Sequence, residues 1–151
     1  MLEKEAVKIG GGNNHRFGLY DMIMLKDNHI DYAGGIENAI GKANQYLKEN
    51  KLKLEIEVET RNIEDVEKVM NAGNVNRIML DNFTPAEIRE ALKIIGDKYE
   101  TEASGGITLE NIREYGATGV TYISSGAIIH QAQSVDLSLK AMLDVGSKKY
   151  D

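Results

Sequence analysis

The chain contains no cysteine, no tryptophan and only one proline among its 151 residues. The absence of thiols excludes disulfides, thiolate zinc sites, iron–sulfur clusters and a cysteine nucleophile. Basic residues are also scarce: 18 against 24 acidic ones give a net charge of −6, so we expect no general affinity for nucleic acid or for a membrane surface. No apolar run approaches the length of a transmembrane helix, and a charged segment rather than a signal peptide follows Met1, which predicts an intracellular, cytoplasmic protein.

The spacing of the apolar segments predicts an α/β fold. Hydrophobic residues make up 42% of the chain and charged residues 28%, a balance typical of one globular domain. Five short strands are predicted near residues 25, 56, 79, 102 and 122, about 20 to 30 residues apart, as in βαβ units. Five strands are too few to close a barrel, which needs eight. We therefore expect either an open parallel sheet or a piece of a barrel.

Helices are predicted at the amino end and between the strands. They cover Leu2 to Ile9, the apolar stripe from Ile36 to Leu47, the segment after Asn62, the segment after Thr84, and Thr108 to about Tyr115. The clearest start is at Thr84, which precedes Pro85 at the first helical position and forms a capping box with Glu87.

Polar residues follow each predicted strand. They are Lys26-Asp27-Asn28-His29, Glu57-Val58-Glu59, Asp81-Asn82, Ser104-Gly105-Gly106 and Ser124-Ser125-Gly126. Parallel strands bring their carboxyl ends to one edge of the sheet, where such folds place their active sites. The pattern therefore predicts a functional site at this edge.

The second strand alternates between apolar and acidic residues, so Glu55, Glu57 and Glu59 share one face. Parallel strands covered on both faces are normally apolar throughout. Two interpretations are open. The segment is an edge strand with one wet face, or Glu59 faces a cationic site that Asp81 also reaches.

Two serine–glycine loops are candidates for phosphate binding. Ser104-Gly105-Gly106 leads to the predicted helix start at Thr108, and Ser125-Gly126 repeats the chemistry one unit later. Glycines allow close approach of backbone N–H groups, and a helix start adds positive potential.

A third glycine-rich loop lies near the amino end and presents His15 and Arg16. Together with Lys26 these cations predict a pocket for a small polyanion. The three histidines of the chain, His15, His29 and His130, show no metal-binding spacing, so zinc is not expected.

These motifs together resemble the quinolinate phosphoribosyltransferase family. The resemblance rests on Gly10-Gly11-Gly12-x-x-His15-Arg16-x-x-Leu19-Tyr20-Asp21-x-Ile23-x-Leu25-Lys26-Asp27-Asn28-His29, Glu57-Val58-Glu59, Leu80-Asp81-Asn82-Phe83, Glu102-Ala103-Ser104-Gly105-Gly106-Ile107, and Ser125-Gly126-Ala127 with His130. It extends to about residue 140. The first motif is long and specific, whereas the glycine loops alone are not.

The resemblance implies a Mg²⁺-dependent transfer of ribosyl 5-phosphate from phosphoribosyl pyrophosphate to the ring nitrogen of quinolinate, with loss of carbon dioxide. Nicotinate mononucleotide and pyrophosphate are the other products, in NAD biosynthesis. By motif position, His15, Arg16 and Lys26 would bind quinolinate. Glu59 and Asp81 would contact the ribose and bind the metal. The resemblance thus implies Lys26, Glu59 and Asp81 as the catalytic residues. Ser104, Gly105, Gly106, Ser125, Gly126 and His130 would complete the substrate site.

The resemblance also implies that residues 1–151 are the carboxyl-terminal α/β-barrel portion of a type II phosphoribosyltransferase. The fold expected is then a partial (open) β/α barrel of about five parallel strands with crossover helices. A separate amino-terminal domain and the first barrel strands of the family have no counterpart in the sequence. We therefore expect a homo-oligomer, or association with such an amino-terminal segment, and little or no activity from this chain alone.

Three alternatives remain open from the sequence. Lys26 at a strand end could be the Schiff-base lysine of a phosphate-binding aldolase barrel. The molybdenum-associated paralogue of the same transferase fold is a second possibility, although the intact Lys26-Asp27-Asn28-His29 segment argues against it. The third is a non-catalytic fragment that binds only ligand or a partner.

Overall fold

The computed structural model describes residues 2–141, which form one parallel sheet with helices packed on it. The strands pair in chain order β1-β2-β3-β4-β5, and the expected partial barrel of five parallel strands is confirmed. They are β1 Met22–Leu25, β2 Glu55–Thr60, β3 Arg77–Asp81, β4 Glu100–Ser104 and β5 Tyr122–Ile123. The helices are α1 Leu2–Ile9, α2 Asp27–Ala33, α3 Ile36–Glu49, α4 Ile63–Ala72, α5 Pro85–Ile95, α6 Ile112–Gly116 and α7 Ala127–His130.

The hydrophobic core lies between one face of the sheet and the helices. Val58, Ile78, Leu80 and Ala103 point from the sheet into this core and are fully buried. Val66, Val69, Ile88 and Ala91 meet them from α4 and α5. The helical periodicity of the sequence and the two-residue periodicity of the strands thus supply the two halves of one apolar layer.

The opposite face of the sheet is charged. Alternation places Glu57 and Glu59 of β2, Arg77 and Asp81 of β3, and Glu102 of β4 on it. Because β2 pairs with both β1 and β3, the interpretation of β2 as an edge strand is wrong. The acidic face belongs to an interior strand, where it requires cationic partners.

Two predicted helix starts are confirmed in detail. The Asn62 side chain accepts a hydrogen bond from the Asp65 amide at 2.8 Å. Thr84 and Glu87 form the reciprocal capping box, with Pro85 as the first residue of α5. Such caps satisfy backbone donors that a helix leaves unpaired at its start.

Other boundaries differ from the prediction. Helix α6 begins at Ile112, four residues after the predicted start at Thr108, because Asn111 Oδ1 accepts from the Thr108 amide and residues 109–111 form a turn first. Helix α2 follows β1 directly and was not predicted. The predicted domain extent of 1–151 includes residues 1 and 142–151, which lie outside the described residues.

Within residues 2–141, none of the helices combines the length and apolarity that crossing a lipid bilayer requires. In the same part of the chain, β1 and β5 each pair with one strand only. The sheet is therefore open at both edges rather than closed into a barrel.

Candidate functional site

A cavity of about 500 Å³ lies at the carboxyl edge of the sheet. All five strands or the loops that follow them contribute to it, as expected for a parallel α/β fold. Its walls include nearly every residue that the sequence analysis selected: His15, Lys26, Glu59, Asp81, Ser104, Gly105, Gly106, Ser125, Gly126 and His130.

Arg16 is the exception, because it does not line the cavity. Its backbone carbonyl accepts a hydrogen bond from Lys4 Nζ at 2.6 Å. The following turn closes on Asp21, whose carboxylate accepts from the amides of Phe17 and Gly18. These hydrogen bonds, with attraction from Arg16, lower the pKa of Asp21. The expected cationic pocket therefore contains His15 and Lys26 but not Arg16.

Glu59 and Asp81 place two carboxylates at the ends of neighbouring strands. Lys26 Nζ lies 3.7 Å from Glu59 Oε2, and the Glu59 side chain is about nine-tenths buried. Burial raises the pKa of Glu59, the nearby Asp81 carboxylate raises it further, and Lys26 offsets part of the effect. This corner of the cavity thus carries more negative charge than Lys26 balances.

The chemistry of this pair fits Mg²⁺. The ion prefers hard oxygen ligands and is usually bound through one or two carboxylates together with substrate phosphates. Glu59 and Asp81 offer that donor set, and the raised pKa of Glu59 indicates a site that would gain from a further cation.

Asn82 and Gly105 fix the position of Asp81. Asn82 Nδ2 donates to Asp81 Oδ2 at 2.7 Å, and the Asn82 amide donates to the Ser104 carbonyl at 2.8 Å. Gly105 has a φ of +92°, and a Cβ placed there would lie 2.8 Å from the Asn82 nitrogen. Only glycine fits this approach, so the first serine–glycine loop supports the carboxylate of the neighbouring strand.

The second serine–glycine loop is held by its own serine. Ser125 Oγ donates to the Ile107 carbonyl at 2.5 Å and accepts from the Ala127 amide at 3.3 Å. Its hydroxyl hydrogen is therefore used to join the two loops. Backbone amides remain the stronger candidates for anion contacts here. The helix start expected at Thr108 lies four residues further along the chain, because α6 begins at Ile112.

His29 serves the local backbone. Its Nδ1 accepts a hydrogen bond from the Lys26 amide at 3.0 Å, which caps the start of α2. This contact orients the chain directly after Lys26. The Lys26-Asp27-Asn28-His29 segment therefore combines a cavity-lining cation with the turn that directs it.

Two carboxylates that were not among the predicted site residues contact His15, namely Glu57 and Glu102, and Arg77 contacts both of them. His15 Nε2 lies 2.9 Å from Glu57 Oε2 and 3.2 Å from Glu102 Oε2. Arg77 Nη1 lies 3.3 Å from Glu102 Oε2. The sequence did contain a signal for this cluster, because β2, β3 and β4 each carry charged side chains on one face. Only the charges on β2 were interpreted in this way.

Comparison with known proteins gives concordant matches. The family described as Quinolinate phosphoribosyl transferase, C-terminal domain, matches residues 1–140. Quinolinate phosphoribosyltransferase (decarboxylating) 2b, mitochondrial, from Nicotiana tabacum is 47% identical over 154 aligned residues, covering 93% of this chain and 44% of the relative. The nicotinate-nucleotide pyrophosphorylase (carboxylating), chloroplastic, of Arabidopsis thaliana is 46% identical over the same shares.

A solved structure of the nicotinate-nucleotide pyrophosphorylase from Francisella tularensis superposes with a TM-score of 0.80 at 39% identity, covering 88% of this chain and 46% of that one. The chain thus spans less than half the length of these relatives. Its match to the family nevertheless extends over the whole described sheet and the cavity. The chain belongs to the quinolinate phosphoribosyltransferase family, to whose carboxyl-terminal domain it corresponds.

Proposed function

We propose that this cavity transfers ribosyl 5-phosphate from phosphoribosyl pyrophosphate to quinolinate, with decarboxylation, giving nicotinate mononucleotide, pyrophosphate and carbon dioxide. The observation that carries the proposal is the convergence of Lys26, Glu59, Asp81 and two serine–glycine loops on one cavity. The names of the relatives favour this reaction over the molybdenum-associated paralogue and the aldolase.

Quinolinate carries two carboxylates, and the cavity offers two cations to bind them. Lys26 is half exposed at the end of β1, and His15 lies on the wall formed by the amino-terminal loop. Contacts with Glu102 and Glu57 raise the pKa of His15 to about 9, so its imidazole is cationic at neutral pH. Both side chains therefore attract an anionic ring and orient its nitrogen.

The loops after β4 and β5 are the proposed phosphate site. Gly105, Gly106 and Gly126 have no side chains to block the approach of an anion to their backbone amides. Ser104 and His130 add a hydroxyl and an imidazole from the same wall. The 5-phosphate would bind here, with the ribose directed toward Glu59 and Asp81.

Glu59 and Asp81 then act on the reacting carbon. Displacement of pyrophosphate from the anomeric carbon develops positive, oxocarbenium-like charge, which nearby fixed carboxylates stabilise. The same two residues would hold Mg²⁺. When bound, Mg²⁺ neutralises the charge on the pyrophosphate leaving group. Ribosylation makes the ring nitrogen cationic, so the electron pair that departing carbon dioxide leaves on the adjacent ring carbon is stabilised until that carbon takes up a proton from water.

We also propose that turnover requires additional chain, as a homo-oligomer or with an amino-terminal segment. Two sheet edges are unpaired among the described strands, and exposed strand edges favour further pairing. We place the reaction in the cytoplasm, although the Nicotiana tabacum relative is named as mitochondrial. Size-exclusion chromatography and cell fractionation test these two points.

Calorimetry on the 151-residue chain tests the proposed substrates. Quinolinate and phosphoribosyl pyrophosphate with Mg²⁺ should each bind, and both heats should fall in Lys26→Ala. The matched control is Lys42→Ala, an exposed lysine on α3 that does not line the cavity. Binding without turnover would favour a ligand-binding fragment, whereas no binding of either compound would contradict the proposal. A borohydride-trapped adduct on Lys26 would support the aldolase instead.

A further inference from the structure

Four charged side chains meet on the inner face of the sheet, beneath the cavity. Glu57 of β2 and Glu102 of β4 both direct Oε2 at His15 Nε2, at 2.9 and 3.2 Å. Arg77 of β3 lies between the two strands, with Nη1 4.0 Å from Glu57 Oε2 and 3.3 Å from Glu102 Oε2. We call these four residues the inner-face cluster.

Burial makes the charge balance of this cluster important. Glu57 is 0% exposed and Glu102 is 1% exposed. Within residues 2–141, His15 Nε2, both carboxylate oxygens of Glu57 and Oε1 of Glu102 make no hydrogen bond, so His15 meets the two carboxylates as short ion pairs. Burying a carboxylate without a compensating cation is very unfavourable. Arg77, which also pairs with Glu100, and a protonated His15 share the compensation of the two charges, and burial raises the pKa of the Glu57 carboxyl.

Arg77 is itself held in place. Its Nη2 donates to Glu100 Oε2 at 2.9 Å, and its guanidinium lies 4.2 Å from the centre of the Tyr122 ring. The arginine is therefore a fixed cation under the two carboxylates. The adjustable member of the cluster is His15, which also lines the cavity.

Orientation follows from the same contacts. Because Nε2 of His15 faces the two carboxylates, the second N–H of the imidazolium, at Nδ1, is left for other partners. A histidine held in this way offers a ligand positive charge and one N–H that the two carboxylates do not occupy.

We propose that Glu57, Glu102 and Arg77 are positioning residues that keep His15 as an oriented imidazolium at the cavity wall, and that they thereby set the affinity of the site for a small polycarboxylate. The identity of that ligand rests on the proposed function. The raised pKa of His15, caused first by Glu102 and then by Glu57, agrees with this geometry. The other titratable groups that line the cavity are Lys26, Glu59, Asp81 and His130.

The ligand atoms of His15, Glu57 and Glu102 lie within 4.8 Å of one another, as in a metal site. The position of Arg77 argues against a resident metal, because the guanidinium already faces the same oxygens. A proton on His15 supplies the missing charge without competing with it. The experiment therefore includes a chelator.

The test is a proton NMR titration of the three histidines in the 151-residue chain, with and without EDTA. In the unmodified chain the His15 midpoint should lie near 9. Glu102→Gln should lower it by at least about one pH unit toward 6.5, and Glu102→Asp should restore part of the difference. The matched control is Glu100→Gln, which removes a carboxylate from the same strand and the same arginine but not from His15. His29 and His130 are internal references.

Calorimetry at pH 7.5 gives the second measurement. Glu102→Gln should weaken quinolinate binding by up to about tenfold, the limit reached when the His15 midpoint falls to 6.5 and about nine-tenths of the imidazole is neutral at pH 7.5, and should leave phosphoribosyl pyrophosphate binding unchanged. Glu102→Asp should recover part of the loss, which a merely structural role for Glu102 would not predict.

Each outcome decides the proposal. The proposal is contradicted if the His15 midpoint of the unmodified chain lies near 6.5, or if EDTA changes that midpoint. Both outcomes are measured without any variant. Equal midpoints in Glu102→Gln and Glu100→Gln also overturn it. If Glu102→Gln does not fold, Glu57→Gln replaces it. A raised midpoint that depends on Glu102 in a chain that does not bind quinolinate would contradict the proposed function but retain the positioning role.

Discussion

Lys26 Nζ and Glu59 Oε2 lie 3.7 Å apart and join the ends of β1 and β2 at the wall of the cavity. Glu59 also faces the charge of Asp81, so its carboxylate has one cationic and one anionic neighbour at this corner. The excess negative charge is unfavourable for folding and favourable for binding a metal and a developing cation.

Replacing Glu59 by glutamine should stabilise the fold and weaken binding. The pKa of Glu59 is raised, so the folded protein binds its proton more tightly than the unfolded chain does, and the ionised carboxylate opposes folding above its ordinary pKa. We expect Glu59→Gln to raise the midpoint of thermal unfolding at pH 7 by about 2 to 4 °C. Affinity for phosphoribosyl pyrophosphate with Mg²⁺ should fall at least tenfold, roughly the loss of 1.4 kcal/mol.

Glu55→Gln is the control for that change, because Glu55 lies on the same strand but is exposed. It should alter neither the melting temperature nor the affinity. A Glu59→Gln chain that melts lower and binds equally well would show that the carboxylate has a structural role instead.

His15 should make stability depend on pH. Contacts with Glu102 and Glu57 raise its pKa from 6.5 to about 9. Its contribution to folding is therefore complete below pH 6.5 and is lost as the pH rises through about 9. Because His15 is partly exposed, we expect a loss on the order of 1 to 2 kcal/mol in urea unfolding between pH 6.5 and 9.5. The same loss in His15→Gln would assign it to other groups.

Gly105→Ala should be more destabilising than Gly119→Ala. The two glycines have nearly the same φ, +92° and +91°, but an added Cβ meets Asn82 at position 105 and nothing within 4 Å at position 119. The two variants should therefore differ in their free energy of unfolding, measured with urea, by about 1 to 3 kcal/mol, and this difference reports the steric clash alone. Because Asn82 holds Asp81, Gly105→Ala should also reduce Mg²⁺-dependent binding. Equal effects of the two substitutions would contradict the close approach.

The two loop serines should behave differently. Ser125 joins two loops through Ile107 and Ala127, whereas Ser104 Oγ makes no hydrogen bond to another residue in the described part of the chain. Ser104→Ala should weaken phosphate binding, measured by calorimetry, without changing stability. Ser125→Ala should weaken phosphate binding and also lower the free energy of unfolding, in each case by about 1 kcal/mol for the lost hydrogen bond. A purely structural effect at both positions would argue against the proposed phosphate site.

Local signals in the sequence predicted most of the fold. Alternation identified β2, and the residues Thr84, Pro85 and Glu87 identified a helix start to the residue, because capping depends on neighbours only. The predicted start of α6 was wrong because the Asn111 side chain accepts a hydrogen bond from the Thr108 amide, which forms a turn before the helix begins. Such a side-chain hydrogen bond competes with helix formation and leaves no periodic signal.

The site was only partly predictable for a different reason. The carboxyl ends of the strands lie at one edge of any parallel sheet. The positions of Lys26, Glu59 and Asp81 at strand ends therefore predicted that they lie together. The partnership of His15 with Glu57 and Glu102 joins segments about 40 and 90 residues apart, and it depends on strand register. Arg16 does not line the cavity, and the turn that follows it closes on Asp21, a contact that the spacing of the motif did not predict.

The central claim is that this cavity performs the decarboxylating transfer, and a chimera tests it most directly. Residues 1–140 replace the matching segment of the Francisella tularensis relative, and release of labelled carbon dioxide from carboxyl-labelled quinolinate is measured. We predict release that requires both phosphoribosyl pyrophosphate and Mg²⁺ and that falls by at least about a hundredfold in Glu59→Gln. A folded chimera that binds both substrates yet releases no labelled carbon dioxide would contradict the claim.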